Sequence, residues 1–233
     1  MKTWHSKSGY TISCILPGRS NVFMLSDNEK NILIDTSPGY KWKSLKNVLN
    51  QLKIRNIELL VLTHTHHDHA GNASRIKREY GAKVIVNKRE AEFLQKGETS
   101  LPHGTIFITY LLVDKIVPNL PIRFNYEPCE PDILTDLRFD LKPFGFNAYI
   151  LHTPGHSVGS QSIIVDDELA MSGDSMFGIF PQSIFPPFAD NTDVLITSWG
   201  KLLDTGCNVY LPSHGTANSR DLLKQEYLKR NKT

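Results

Sequence analysis

Hydrophobic positions in this chain switch between a period of two and a period near 3.6, and the switches lay out its elements. Residues 10–16, 21–26 and 31–35 are short apolar runs separated by Gly, Asn, Asp and Lys, which predicts three strands joined by tight turns. Residues 41–52 change to helical spacing, with Trp42, Leu45, Val48, Leu49 and Leu52 on one face, as in an amphipathic helix laid on a sheet. Leu59-Leu60-Val61-Leu62 reads as a buried strand. Helices are predicted over 72–80 and 88–95, with a strand at 83–86 between them. Strands resume at 137–141, 147–152, 160–165 and 168–171. A helix over 191–204 starts in the N-cap context Asp190-Asn191-Thr192, and a strand at 207–211 and a helix near 218–229 close the chain. Strands interleaved with helices indicate an α/β protein.

The least regular stretch is 97–131. It holds the apolar run Thr105-Ile106-Phe107-Ile108-Thr109-Tyr110-Leu111-Leu112-Val113, followed by Pro118, Pro121, Pro128 and Pro131. A long connection inside a domain is usually functional or disordered, and this one is too apolar for disorder. Two readings are open: a lid over a site, which could also form a homodimer surface, or an inserted core hairpin or helix without substrate contact. Otherwise the whole chain, 1–233, reads as one domain without repeats or a linker.

Chemistry is concentrated where apolar runs end. Thr63-His64-Thr65-His66-His67-Asp68-His69 follows the strand at 59–62 directly. In extended backbone His64 and His66 point the same way and can converge on one ion, while Asp68 and His69, at the turn into the next helix, can reach a second. Neutral imidazole and carboxylate suit zinc, iron and manganese. Three later corners repeat the theme: His152-Thr153-Pro154-Gly155-His156, Ser172-Gly173-Asp174-Ser175 and Leu211-Pro212-Ser213-His214-Gly215. Each is weak alone because Gly and Pro mark ordinary turns; the four in this order form a strong signal.

With these motifs the chain resembles the metallo-β-lactamase fold superfamily, over nearly its whole length, and in particular its glyoxalase II-like and lactonase-like binuclear hydrolases. The resemblance implies a four-layer αββα sandwich of two mixed β-sheets flanked by helices. It also implies a ligand set: His64, His66 and His156 for a first metal, Asp68, His69 and His214 for a second, and Asp174 bridging both. Asp68 and Asp174 are then the candidate catalytic carboxylates, and the cofactor is two divalent ions, zinc first, with iron or manganese as alternatives. The β-lactamases that name the superfamily lack the bridging Asp, which argues against β-lactam hydrolysis. The flavodiiron members carry Glu at the position of His66, which argues against oxygen or nitric oxide reduction.

Two divalent ions with Asp68, Asp174 and a bridging hydroxide would leave a core near about +1, suited to a developing oxyanion. The expected reaction is therefore hydrolysis of an ester, thioester or lactone by a metal-bridging hydroxide. Alternatives are a phosphodiesterase on a small substrate and a mononuclear iron dioxygenase. The chain stops at Thr233, soon after His214, so the glutathione-binding helical region of glyoxalase II is expected to be largely missing. Asp35 ends a strand beside the metal loop and is the leading candidate to orient a ligand histidine, with a plain turn carboxylate as the other reading. His67 is expected to be exposed or to support a ligand, His152 to pack or support one, and His5 and His103 to lie at the surface, with His103 able to reach the pocket if the insertion closes as a lid. Phe177, Phe180, Phe185 and Phe188 either form an apolar substrate wall or pack beneath the insertion. Tyr126 and Tyr149 are candidate proton donors.

Composition narrows the partners. A net charge of +2 offers no general attraction for nucleic acid, so a small-molecule substrate is expected. No run has the length of a membrane span or a secretory signal core. Cys14, Cys129 and Cys207 have no metal-like spacing, and a reducing cytoplasm fits them.

Overall fold

The computed structural model describes residues 1–18, 20–27, 29–119 and 124–231; Pro121 of the insertion falls outside them. The first sheet contains β1 (Lys2–His5), β2 (Thr11–Leu16), β3 (Val22–Ser26), β4 (Asn31–Ile34), β5 (Leu59–Val61), β6 (Lys83–Asn87) and β7 (Ile133–Thr135), paired in that order. Pairing is antiparallel from β1 to β4 and parallel from β4 to β7. The second sheet is built from β8 (Arg138–Asp140), β9 (Ala148–His152), β10 (Gln161–Val165), β11 (Leu169–Gly173), β12 (Val209–Pro212) and β13 (Asn218–Ser219). It is antiparallel except where β11 runs parallel to β12.

Alternation along the strands makes the layers. Ile32, Ile34, Leu59, Val61 and Ile85 point between the sheets, where they meet Phe146, Ile150, Ile163 and Met171. Their neighbours Leu33, Leu60, Val84 and Val86 point outward under α1 (Trp42–Gln51), α3 (Ala73–Tyr80) and α4 (Ala91–Lys96), onto Leu45, Leu49, Ile76 and Leu94. The short α2 (His67–Ala70) lies between α1 and α3 in the chain. On the far side, Ile164, Ala170 and Tyr210 pack under α6 (Thr192–Asp204) and α7 (Arg220–Arg230), against Leu195, Trp199, Leu202 and Leu223. Strands buried on both faces explain why β5 reads as an unbroken apolar run rather than an alternating one. The result is a four-layer αββα sandwich. At about 1.5–3 kcal/mol per buried aliphatic side chain, these three clusters supply the main drive for folding.

Most boundaries agree with the sequence pattern to within a few residues, and Asn191 does cap α6, accepting from the Asp193 and Val194 amides at 3.0 Å. The apolar run of the insertion is helical: α5 (Phe107–Tyr110) continues in helical turns through Asn119. Phe107, Ile108, Leu111 and Leu112 face outward from it. Cys207 is buried as expected, but in the turn before β12 rather than in a strand. Among the described residues, no helix is long and apolar enough to cross a membrane.

Candidate metal centre

One end of the sandwich gathers the C-terminal ends of β4, β5, β9, β11 and β12, and the sequence motifs follow these strands directly. His64 and His66 lie in the extended stretch after β5, and His66 precedes α2, whose first turn carries Asp68 and His69. His156 follows the Pro154-Gly155 turn. Gly155 has φ +127 and is pressed on the start of α6, where a Cβ would lie 2.4 Å from the Leu195 backbone. Gly173, at φ +56, bends the end of β11 so that Asp174 enters the site, and a Cβ there would meet Thr63 at 2.8 Å. His214 leaves the end of β12 in a loop that Asn21 fastens. Asn21 donates its side-chain amide to the carbonyls of Pro212 at 3.1 Å and Gly215 at 3.0 Å.

All seven predicted residues meet there. His66 Nδ1 faces His64 Nε2 at 2.9 Å and His156 Nε2 at 3.1 Å, so three imidazoles converge edge to edge. Asp68, His69 and His214 make a second group, with Asp68 carboxylate oxygens 3.8 Å from His69 Nε2 and 3.6 Å from His214 Nε2. Asp174 stands between the groups: its Oδ2 is 3.4 Å from His156 and 3.2 Å from His214, and its Oδ1 is 3.6 Å from His69. His64, His66, His69, His156 and Asp174 are buried, whereas Asp68 and His214 are partly open to the cavity.

The donor set fits a cation. His69 Nε2 and Asp174 Oδ1 are buried, yet neither has a hydrogen-bond partner among the described residues, a costly arrangement unless something else occupies the space between them. Burial drives His64 and His66 well below the usual imidazole range, reinforced by their histidine neighbours; burial also lowers His156. These three are neutral, as ligands must be. At His69 burial works the same way, but Asp174, Asp68 and Asp35 together outweigh it and push the pKa well above the usual value. His214 is raised against its burial chiefly by Asp174. Asp174 is held well below the carboxylate range because His214, His69 and His156 outweigh its burial.

The outer nitrogens are fixed by partners. His69 Nδ1 donates to Asp35 Oδ2 at 2.8 Å, and His156 Nδ1 donates to the Phe188 carbonyl at 2.9 Å. Thr63 spends its hydroxyl proton on Asp35 Oδ2, so its oxygen accepts from His64 Nδ1 at 3.1 Å. Each of these partners turns the other ring nitrogen toward the site. Asp35 is fully buried at φ +60, and its carboxylate also accepts from the Thr63 amide at 2.8 Å and the Ser213 hydroxyl at 3.1 Å.

Sequence reasoning missed Glu90. Fully buried, it accepts from the Thr65 amide at 3.2 Å, from the Thr65 hydroxyl and from the Gly159 amide at 3.0 Å. It thereby joins the loop of His64 and His66 to the loop that follows His156. Its partners are distant in sequence, and the pattern put it inside the helix predicted over 88–95, whereas it stands in the turn before α4.

The remaining candidates separate cleanly. His67 stacks on Phe124 (ring centroids 4.8 Å apart) and lines the cavity beside the site, while His152 sits in β9 with Nε2 donating to the Val158 carbonyl at 3.0 Å. His103 is exposed and pairs with Asp114, and His5 is exposed with Nδ1 3.3 Å from the Thr11 hydroxyl. Phe177 and Phe188 line the cavity, and Phe177 stacks on His214 at 4.5 Å. Phe185 instead packs on Trp199, and Phe180 is exposed. Tyr149 hydrogen-bonds Asp167 under the Arg138 guanidinium, and Tyr126 lines a separate recess beyond His67; neither reaches the cavity. That cavity, about 560 Å³, opens over the candidate metal centre, and the insertion contributes Thr99, Leu101, Pro102, Val113 and Phe124 to its wall.

Comparisons with known proteins bear on the family and the fold. A family model described as the metallo-beta-lactamase superfamily matches residues 15–214. The hydroxyacylglutathione hydrolase GloC of Haemophilus influenzae is 31% identical over 160 residues, 68% of each chain. A protein described as a probable metallo-hydrolase, from Methanocaldococcus jannaschii, is 29% identical over 160 residues, 69% of each chain. Among solved structures, the BLEG-1 B3 metallo-beta-lactamase superposes with a TM-score of 0.69 at 20% identity, covering 96% of this chain and 100% of that one. An archaeal metallo-beta-lactamase superfamily protein from Sulfolobus tokodaii gives 0.64 at 21%, covering 92% and 81%. At these identities the structural likeness concerns the fold alone.

Proposed function

Since the chain belongs to the metallo-β-lactamase superfamily and is a metal-dependent hydrolase, we propose that it works with two metal ions on a carboxylic ester, thioester or lactone. The observation that carries this reading is the placement of Asp174, whose two oxygens face both donor groups at once. His64, His66 and His156 would hold one ion, Asp68, His69 and His214 would hold the other, and Asp174 would serve both. Zinc suits this set best, and iron and manganese also accept imidazole with carboxylate. Two such ions supply Lewis acidity and a bound water that ionises near neutral pH.

The chain's own residues do the rest. Asp35, Thr63 and the Phe188 carbonyl keep His69, His64 and His156 in the tautomer that faces the site. Burial of five of the seven groups excludes bulk water and strengthens the local field. Asp68, partly open to the cavity, would accept a proton from the attacking water. The thioester branch draws support from GloC, whose name assigns it the hydrolysis of a hydroxyacylglutathione.

Elemental analysis of protein purified without added metal tests the reading, with an Asp174→Ala sample run alongside. Two equivalents of zinc, iron or manganese per chain, falling to one or fewer in the variant together with ester, thioester and lactone hydrolysis, are expected. A single iron per chain, indifferent to Asp174, would overturn it in favour of mononuclear chemistry.

A further inference from the structure

We infer that the acyl group accepted by this site is uncharged and apolar, seated between the insertion and the loop after Asp174; this rests on the hydrolase reading above. The cavity has a polar end and an apolar remainder. Its polar end is the metal centre. Leu101, Val113 and Phe124 line it from the insertion, and Phe177, Ile179 and Phe188 from the loop after Asp174. Among the described residues that line it there is no Lys or Arg, and its only carboxylates, Asp68 and Asp174, belong to the metal centre. An acyl group ending in a carboxylate would lose hydration there without gaining a Lys or Arg partner from the described lining, whereas methylenes would leave water for an apolar surface.

The walls are built into the fold rather than resting loosely on each other. Gly104 bridges to Phe188 as an antiparallel pair, and the Thr105 amide donates to the Pro187 carbonyl at 3.0 Å. The Thr105 hydroxyl donates to the Pro186 carbonyl, and the Thr109 hydroxyl donates to the Pro187 carbonyl at 2.7 Å. Phe188 in turn accepts from His156, so the apolar seat is fixed relative to the metal centre. A volume of about 560 Å³ lies in the range that encloses a small organic ligand.

Metal-loaded protein is assayed with the p-nitrophenyl esters of acetate, butyrate, hexanoate and octanoate, and with mono-p-nitrophenyl succinate. In parallel, calorimetry compares the binding of octanamide and acetamide, which needs no turnover. Expected are a kcat/KM that rises about fourfold per seated methylene, discrimination against the succinyl ester, and tighter binding of octanamide. Val113→Asp in the insertion and Ile179→Asp in the loop after Asp174, at a half-buried and an exposed position, flatten the chain-length slope and weaken octanamide by about tenfold while metal content holds. A flat slope without octanamide preference overturns the inference and leaves hydrolysis standing. Preference for the succinyl ester, lost in Arg19→Ala or Arg123→Ala (cations outside the described residues), overturns it as well. Tight octanamide binding without hydrolysis of any ester supports the apolar seat and sinks the hydrolase reading instead.

Discussion

Asp35→Asn keeps the shape of a buried side chain and removes its charge, and the structure says which bonds fail. The amide nitrogen must take the place of one carboxylate oxygen. At Oδ2 it would confront three donors, Thr63 Oγ1 and His69 Nδ1 at 2.8 Å and Ser213 Oγ at 3.1 Å. At Oδ1 it confronts only the Thr63 amide, at 2.8 Å, so it settles there and leaves that N–H unpaired. An unsatisfied buried donor costs about 1–3 kcal/mol, and three bonds that lose a charged acceptor weaken by roughly 1 kcal/mol each. The sum, about 4–6 kcal/mol, corresponds to a fall in Tm of roughly 8–24 °C for a chain of this size. Asn accepts the left-handed backbone at φ +60, so the change does not add backbone strain. His69 also loses the anion that fixes its tautomer, and metal affinity should drop about 10- to 100-fold. The checks are thermal unfolding of the metal-free protein and zinc competition against a chelator. A metal-free Tm within about 2 °C of wild type, combined with unchanged zinc affinity, would refute the network argument, because both costs arise from the same carboxylate.

Two further outcomes follow from buried groups elsewhere. Glu90→Gln must present an amide nitrogen to either Gly159 N or Thr65, and should cost about 1–3 kcal/mol in urea unfolding and about tenfold in zinc affinity; unchanged values for both would show that the two loops do not need this tie. His152 has its pKa lowered by burial, with Arg89 and Lys201 adding to the effect, so the unfolded chain takes up a proton below about 6.5 that the native state resists. Its contribution is intact above that pH and is lost as pH falls toward the lowered native value. His152→Gln, which can still donate to the Val158 carbonyl, should therefore gain in Tm relative to wild type between pH 7.5 and pH 5, and parallel Tm curves would contradict this.

What could be read from the sequence depended on the distance between a residue and its partners. The candidate ligands were legible because each follows an apolar strand within a few positions: Leu59–Val61 precedes His64, β9 precedes His156, β11 precedes Asp174 and β12 precedes His214. The fold needs strands buried on both faces, and the chemistry needs polar groups where those strands stop, so both requirements write themselves locally. Asp35 was half legible, since its strand position showed but its four donors did not. Glu90 and Asn21 were invisible because they act on Thr65, Gly159, Pro212 and Gly215, which only the folded chain brings near. β1 escaped because Lys2-Thr3-Trp4-His5 is an exposed edge with little apolar content. Tyr149 misled for the opposite reason: its hydroxyl suits proton transfer, yet Asp167 and Arg138 already engage it on another face. The insertion was ambiguous since its β-branched and aromatic run favours a strand by propensity, while Thr105 and Thr109 anchor it as a helix on Pro186 and Pro187. The same segment brings Leu101, Val113 and Phe124 to the cavity, so the part of the chain least predictable from local pattern is one that the proposed acyl seat is built on.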